Sequence, residues 1–207
     1  MKKRLLIIVF LFVSTISFAQ TIDSILKTMP STIIPGLTEG NKTMILMNTD
    51  ADSITIPFSL GEMKRLIYSD DYLKVKTSEI GTTQLKILQR VNEAPIICLI
   101  KTVCEKGCNS NISFYTLDWK QIDNIKFIPE LSVEMFFDQQ KMGSPEYKYA
   151  LSLIDIKCIY AEFVQNTNNI AIKLDYNNYL SPESKEKIKP YISNDTIVLK
   201  WNKMTFN

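Results

Sequence analysis

Histidine is absent from this chain of 207 residues. A Ser-His-Asp or Cys-His catalytic arrangement, a zinc site with a histidine ligand and a histidine-based pH sensor are therefore excluded. Neither G-x-G-x-x-G, nor a P-loop, nor G-x-S-x-G occurs, so nothing supports nucleotide binding or α/β-hydrolase chemistry. Carboxylates, four cysteines, lysine, serine, threonine and tyrosine remain as the groups that could carry chemistry.

A strong charge of either sign is also lacking. The 24 basic and 22 acidic residues give a formal net charge of +2, and 45% of the residues are hydrophobic. This composition excludes a disordered tail and a basic nucleic-acid-binding domain. We therefore expect a folded chain with its own hydrophobic core, no cofactor and no nucleic-acid partner.

The first 19 residues have the pattern of a secretory signal peptide. A positively charged start and an apolar run over residues 5–13 precede small residues, Ser17 and Ala19, that suit cleavage before Gln20. The apolar run is shorter than the roughly 20 residues that a membrane-spanning helix needs, and no later segment replaces it. The sequence thus predicts a secreted or periplasmic protein with no membrane span.

Removal of residues 1–19 changes the charge balance of what remains. Lys2, Lys3 and Arg4 are lost and no acid is lost, so the formal net charge falls from +2 to −1. A nearly neutral exported chain has no electrostatic reason to seek nucleic acid or anionic lipid. We predict that residues 20–207 form a single domain, with two similar halves that meet near residues 118–150 as the alternative.

All four cysteines follow the predicted signal peptide, in a compartment where disulfides persist. Cys104 and Cys108 enclose a short turn that contains Gly107, between two apolar, strand-like runs. A hairpin there would bring the two α-carbons within disulfide reach, so this pair is the disulfide candidate, with two unreactive thiols as the alternative. A redox pair would need an activated thiolate, and a zinc site would need more ligands.

The other two cysteines, Cys98 and Cys158, each lie inside an apolar strand pattern. They are interpreted as small buried hydrophobic residues. A bond between them stays open, because four cysteines allow three connectivities.

Hydrophobic periodicity predicts an α+β fold. The spacing of apolar residues and the helix start and stop signals predict helices over residues 21–29, 38–47, 131–141 and 181–190. Alternating or continuous apolar runs predict strands over residues 54–58, 72–77, 84–91, 95–104, 112–117, 154–164, 170–176 and 196–201. Short connections and the lack of βαβ alternation favour antiparallel β-meander sheets with several short helices packed on one side.

Three short motifs resemble known functional patterns without completing them. Residues 48–52 alternate oxygen ligands like a calcium loop but lack its glycine and glutamate, so a solvated turn is favoured. Ser184 and Lys187 match S-x-x-K, but no K-T-G follows, which favours an exposed helix. Asp70 and Asp71 could supply paired carboxylates, yet adjacent acids before a strand point in different directions.

Aromatic side chains could stack on sugars or peptides. The candidates are Trp119, Trp201, Tyr147, Tyr149, Tyr176 and Tyr179. Trp201 is assigned to the core, and the tyrosines are the better indication of a binding surface.

An Asp-Ser/Thr-aliphatic triplet occurs three times and is similar to the O-glycosylation site of exported Bacteroidetes proteins. Its hydroxyl residues, Ser24, Ser53 and Thr196, are the candidate modification sites. Three longer stretches resemble a family of small exported Bacteroidetes proteins that is classed only as a domain of unknown function. They cover residues 37–42 with 69–73, residues 101–110 with 114–120, and residues 178–202. That resemblance implies export and a single domain, and the family brings no established activity or catalytic residues to carry over.

These observations favour an exported, non-enzymatic protein that binds a protein, a peptide or an envelope glycan. The alternative is a carboxylate-dependent envelope hydrolase that acts on glycan. Such an enzyme needs two acids that face each other across a cleft, roughly 5–10 Å apart.

Overall fold

A seven-stranded antiparallel sheet runs through the middle of the molecule. The structure is a computed structural model that describes residues 20–47, 53–59, 61–155 and 158–207. The predicted signal peptide and the calcium-like loop at residues 48–52 lie outside the described residues.

The strands of this sheet follow one another in chain order, which is a meander. They are β1 (Ile54–Phe58), β2 (Gly61–Tyr68), β3 (Tyr72–Lys76), β4 (Gly81–Leu88), β5 (Ile96–Cys104), β6 (Cys108–Tyr115) and β7 (Gln121–Ile122). A second antiparallel sheet has the order β10–β9–β8, with β8 (Ile159–Phe163), β9 (Ile170–Leu174) and β10 (Thr196–Leu199). Four α-helices complete the fold: α1 (Ile22–Thr28), α2 (Glu39–Leu46), α3 (Pro145–Ser152) and α4 (Pro182–Ile188).

The large sheet has a hydrophobic core on each of its faces. On one face, α1 and α2 pack over alternate strand residues, among them Met63, Leu73 and Leu99. On the other face, the three-stranded sheet, α3 and α4 pack over the complementary residues, among them Cys98 and Phe114. β5 is buried on both faces over most of its length and its sequence is almost continuously apolar, so the prediction of a central strand over residues 95–104 is confirmed.

Local capping explains where the helices begin. Thr38 accepts a hydrogen bond from Asn41 N at 3.1 Å and starts α2, and Ser181 does the same for Ser184 N at 3.1 Å in α4.

No helix in the described part of the chain is long and apolar enough to cross a membrane. The predicted α+β class with a mainly antiparallel meander is confirmed. The helices, which were expected on one side, pack on both faces of the large sheet, because each face has its own hydrophobic core to cover.

Two side chains tie the small sheet to the large one. Gln84 accepts a hydrogen bond from Phe163 N at 3.1 Å and donates one to Ala161 O at 3.3 Å. Ser110 Oγ accepts a hydrogen bond from Ala161 N at 2.8 Å. Along the outer edge of β8, Ala161 N and Phe163 N are therefore satisfied by side chains of β6 and β4.

The helix predicted over residues 131–141 is wrong. The segment forms two short 3-10 turns, Val133–Phe136 and Gln139–Lys141, separated by extended backbone. Phe137 in that extended stretch forms an antiparallel bridge with Ile192, and Asp138 N donates to Tyr191 O at 2.7 Å, so tertiary pairing overrides the helical pattern. The helix of this region lies further along the chain, where Ser144 caps α3 and Pro145 is its first residue.

Candidate functional site

A cleft of about 570 Å³ opens where the two sheets meet. Its walls come from the turn between β2 and β3, from β4 and from the turn between β8 and β9. The side chains that matter chemically are Tyr68, Asp71, Tyr72 and Lys86, together with the amide-rich residues 165–168.

A lysine–aspartate pair lies in this cleft. Lys86 Nζ is 2.9 Å from Asp71 Oδ2, and the lysine side chain is only 8% exposed while that of the aspartate is 50% exposed. The ammonium group also lies 5.4 Å from the centre of the Tyr72 ring. The cleft thus presents a strong donor and a strong acceptor side by side, with the acceptor open to solvent.

Tyr72 is fixed in place by its neighbours. Its hydroxyl donates to Gln84 Oε1 at 2.9 Å, and its ring packs edge-on against Phe163 with centroids 5.7 Å apart. Burial, assisted by the charge of Glu162, raises the pKa of Tyr72 far above its usual value. The side chain is therefore a rigid, neutral wall of the cleft.

Tyr68 forms the opposite rim and is held by the first helix. Its hydroxyl donates to the carboxylate of Asp23, and the Arg65 guanidinium lies 5.2 Å from the centre of its ring. Burial, followed by the hydrogen bond and the charge of Asp23, raises the pKa of Tyr68 to about 12. Like Tyr72, it stays neutral at physiological pH.

The turn between β8 and β9 is closed by its own hydrogen bonds. Thr167 Oγ1 donates to Val164 O at 2.9 Å and accepts from Asn169 N at 3.1 Å, and Asn166 has a positive φ of 58°. Since the turn holds itself together, its exposed amide side chains, at Gln165 and Asn166, are free to face a ligand.

Glu162 anchors the strand that leads into this turn. It accepts from Tyr160 Oη at 2.6 Å, lies 3.3 Å from Lys173 Nζ, and lies 3.5 Å from Lys74 Nζ. Burial raises the pKa of Glu162, but the hydrogen bonds from Tyr160 and Lys173 and the two lysine charges lower it more, so the pKa is below its usual value.

Glu162 should therefore make the fold sensitive to acid. A folded-state pKa below the unfolded value means that its contribution is present above about pH 4.3 and is lost as the pH falls through the folded pKa. We expect Glu162→Gln to lower the free energy of unfolding at pH 7. The difference in free energy of unfolding between the variant and the unmodified protein should shrink as the pH falls from 5 to 3. Urea unfolding at each pH measures this, with the exposed Glu79→Gln as the control. A difference in free energy of unfolding that stays constant with pH would contradict the expectation.

Asp71 is the one acid among the described residues that line this cleft. Asp70 is exposed and does not line it, so the structure separates the two adjacent acids, as the sequence indicated. The described residues also contain no group of three or more cysteine, aspartate or glutamate side chains that could hold a metal ion. The S-x-x-K match lies on the surface of α4, where Lys187 Nζ is 2.7 Å from Glu183 Oε1.

The aromatic residues selected from the sequence lie elsewhere. Trp119 is buried, and its indole N–H donates to Ile25 O at 3.2 Å. Tyr147 is buried in the second core, so the binding-surface interpretation is wrong for it, whereas Tyr149 and Tyr179 are exposed. Trp201 packs against that core, as predicted.

Among the cleft residues, the sequence singles out Asp71 as a candidate carboxylate but not Tyr68, Tyr72 or Lys86. Tyr72 and Lys86 were considered only as members of alternating strands. The available signal was the polar pair Gln84 and Lys86, which alternate with the apolar Leu85 and Ile87 and so share one face of β4.

The candidate glycosylation sites differ in their surroundings. Ser53 and Thr196 are exposed, and Thr196 begins the outer strand β10. Ser24 is half-buried in α1, where its Oγ donates to Thr21 O at 2.8 Å. Glycosylation at these positions stays a prediction.

The cysteines of the β5–β6 turn face each other in register. Cys104 pairs with Cys108 across the hairpin, with a Cα–Cα distance of 4.0 Å and the two sulfur atoms at disulfide distance. Cys98 and Cys158 are free and buried, and burial raises the pKa of both thiols. They are therefore poor nucleophiles.

Thiol counting tests this pairing. We expect the protein, purified from an oxidising compartment and denatured without reductant, to show two reactive thiols, because only Cys98 and Cys158 are free. Double replacement of Cys104 and Cys108 by serine should leave the count at two. Four reactive thiols in the unmodified protein would contradict the bond.

The turn that carries the disulfide docks tightly on the segment after β9. Cys108 N donates to Asp175 Oδ2 at 2.7 Å, and a Cβ added at Gly107 would lie 2.5 Å from Tyr179 Cε2 and 3.0 Å from Asp175 O. Only glycine fits this contact, because one of the two obstructing atoms belongs to the backbone.

We therefore expect Gly107→Ala to lower the free energy of unfolding by about 1–3 kcal/mol, the usual cost of overpacking. Gly143→Ala is the matched control, since nothing lies within 4 Å of a Cβ at that position. Chemical unfolding measures both variants, and equal stabilities would show that the turn does not dock as described.

Comparisons with known proteins place the chain by sequence and by fold. No curated protein matches it. A solved structure, "Structure of a domain of an uncharacterized protein from Porphyromonas gingivalis W83", superposes with a TM-score of 0.79 at 19% identity, covering 89% of this chain and 96% of that one. At that identity the likeness shows a common fold. The family model described as "Protein of unknown function (DUF3256)" matches residues 14–206, and the chain therefore belongs to that family.

Proposed function

We propose that this protein is an exported binding protein, and that the cleft between its two sheets takes an envelope glycan. Residues 1–19 act as the signal peptide in this proposal, and the remainder acts in the periplasm or outside the cell. The observation that carries the proposal is the Lys86–Asp71 pair in a tyrosine-walled cleft.

The adjacent donor and acceptor match the chemistry of a sugar. Two neighbouring hydroxyl groups of a sugar ring can bind at once, one accepting from Lys86 Nζ and the other donating to Asp71 Oδ2. The half-exposed carboxylate remains open to the ligand, while the buried lysine is held in position by Tyr72 and by the carboxylate itself.

The walls of the cleft supply the two other contacts that sugars need. Tyr68 and Tyr72 offer apolar ring surface with polar tips, and the amides at Gln165, Asn166 and Asn168 can both donate and accept. The volume of about 570 Å³ falls within the usual range for small-ligand sites. Asp71 is the single carboxylate among the described lining residues, which supports binding more than hydrolysis, since hydrolysis uses two.

Asp71→Ala tests the site, with the adjacent exposed Asp70→Ala as its matched control. On a panel of immobilised neutral hexose and N-acetylhexosamine oligomers, we expect the unmodified protein to bind at least one member. Asp71→Ala should weaken that binding at least tenfold, and Asp70→Ala should leave it unchanged. Binding that is equal in both variants, or absent from the whole panel, would contradict the proposal.

Export has its own test. Mass spectrometry of the protein recovered from the envelope or the medium should find an N-terminus at Gln20. A cytoplasmic protein that retains residues 1–19 would contradict the export proposal and leave the binding test unaffected.

A further inference from the structure

A second cavity, of about 340 Å³, lies between β6, the first residue of β8 and the segment that follows β7. It shares no lining residue with the glycan cleft. We propose that this cavity and the two strand edges beside it bind an extended peptide of a partner protein, with an apolar side chain in the cavity and a basic residue beside Glu130. This inference does not depend on the glycan proposal.

The first strand edge belongs to β6. β7 pairs only with Phe114 and Tyr115, so the rest of β6 has no strand paired with it on that side among the described residues. Ile112 O accepts from the Asn124 side chain at 2.7 Å, which shows that the polar backbone groups of Ile112, and by alternation those of Ser110, face away from β5. Within the described part of the chain, Ile112 N has no hydrogen-bond partner.

The second strand edge belongs to β8. Cys158 O accepts from Asp175 N at 2.8 Å, so Cys158 faces β9 and the alternate residues Ile159 and Ala161 face the other way. Ala161 N is satisfied by Ser110 Oγ at 2.8 Å, but among the described residues nothing does the same for Ile159 N. Ser110 and Ile159 both line the cavity, which is thus bordered by two incomplete strand edges.

The Asn124 side chain satisfies part of the unpaired edge of β6. Its Nδ2 donates to Ile112 O, as a neighbouring strand would, but its Oδ1 is buried and has no hydrogen-bond partner in the described structure. A buried acceptor without a donor costs about 1–3 kcal/mol. Asn124 therefore completes the edge of β6 only in part, and an extended peptide offers donors and acceptors in the alternation that strand edges require.

Shape and charge define the peptide further. The cavity wall is mainly apolar, and Ile125 is 78% exposed at its rim, so an apolar side chain fits inside. Glu130 is the one charged residue among the described residues of the lining. Its carboxylate complements a lysine or arginine beside the buried side chain, and the partner segment is therefore apolar–basic and extended.

The probe is a capped eight-residue peptide of alternating leucine and threonine with one central lysine. We expect the purified protein to bind it, and to bind the same peptide N-methylated at alternate residues at least tenfold more weakly, because N-methylation removes the strand donors. Ile125→Glu should also weaken binding at least tenfold. Val198→Glu is the matched control, as Val198 is 45% exposed on the outer strand β10, and it should leave binding unchanged.

Charge reversal provides the second arm. In Glu130→Lys, we expect a probe with glutamate in place of the lysine to become the tighter binder. The inference is overturned if neither probe binds, if N-methylation has no effect, if Ile125→Glu binds normally, or if Val198→Glu is the variant that loses binding. It is also overturned if Ile125→Glu instead abolishes a dimer of the protein, because a second copy would then be the occupant.

Discussion

Replacement of Arg65 by methionine is expected to lower the free energy of unfolding by about 2–4 kcal/mol. Arg65 is 1% exposed on β2, and its Nη1 donates to Ile45 O at 2.7 Å and to Met47 O at 2.9 Å, at the end of α2. Methionine fills much of the same space but satisfies neither carbonyl, and hydrogen bonds to charged groups contribute about 1.5–3 kcal/mol each. The guanidinium also packs on Tyr68 at the rim of the cleft.

Thermal unfolding measures this effect. For a chain of this size we expect the melting temperature to fall by about 5–15 °C. Lys64→Met, at the adjacent exposed position on the same strand, is the control and should change the melting temperature little. If Arg65→Met and Lys64→Met have the same melting temperature, then the Arg65 side chain does not hold α2 to the sheet.

Gln84→Leu should have a comparable effect at the junction of the two sheets. Gln84 is 1% exposed, and its loss leaves Phe163 N without a partner and removes the acceptor of Tyr72 Oη. It also leaves Ala161 O with the longer hydrogen bond from Ser110 Oγ, at 3.5 Å, in place of two. Buried groups left unsatisfied cost about 1–3 kcal/mol each, so we expect a total loss of about 2–4 kcal/mol. Tyr72 should also become less firmly fixed in the cleft wall, because its hydroxyl loses its acceptor.

Two measurements separate these effects. Urea unfolding gives the loss of stability, with Thr82→Val on the same strand as the control. Glycan binding below the unfolding transition should be weakened in Gln84→Leu and unchanged in Thr82→Val. A Gln84→Leu protein as stable as the control would show that the hydrogen bonds of Gln84 do not hold the two sheets together.

The pattern of the sequence accounts for most of the strands. Alternation of apolar residues marks β3 and β9, and continuous apolar character marks β5, because burial on one face or on both leaves a direct trace in the sequence. The short strand β7 was missed because its two residues are too few to show a period. β2 was missed although Met63 and Arg65 are its buried positions, because a buried arginine looks like a surface residue.

The cleft could not be predicted in the same way. It exists because β8 crosses the large sheet and is held there by Gln84 and Ser110, residues separated from Ala161 by 77 and 51 positions. Contacts between residues so far apart leave no local period in the sequence. Asp71 and Lys86 come together only through the pairing of β3 with β4, which the meander implied but whose register it did not define.

The glycan cleft is the central claim, and a map of backbone amide shifts tests it most directly. The isotope-labelled protein would be titrated with whichever neutral oligosaccharide from the panel binds it. We predict that the shifts are concentrated in the turn that contains Asp71, around Lys86 and over residues 163–168. Shifts confined to other surfaces, such as the cavity beside β6, would contradict the claim.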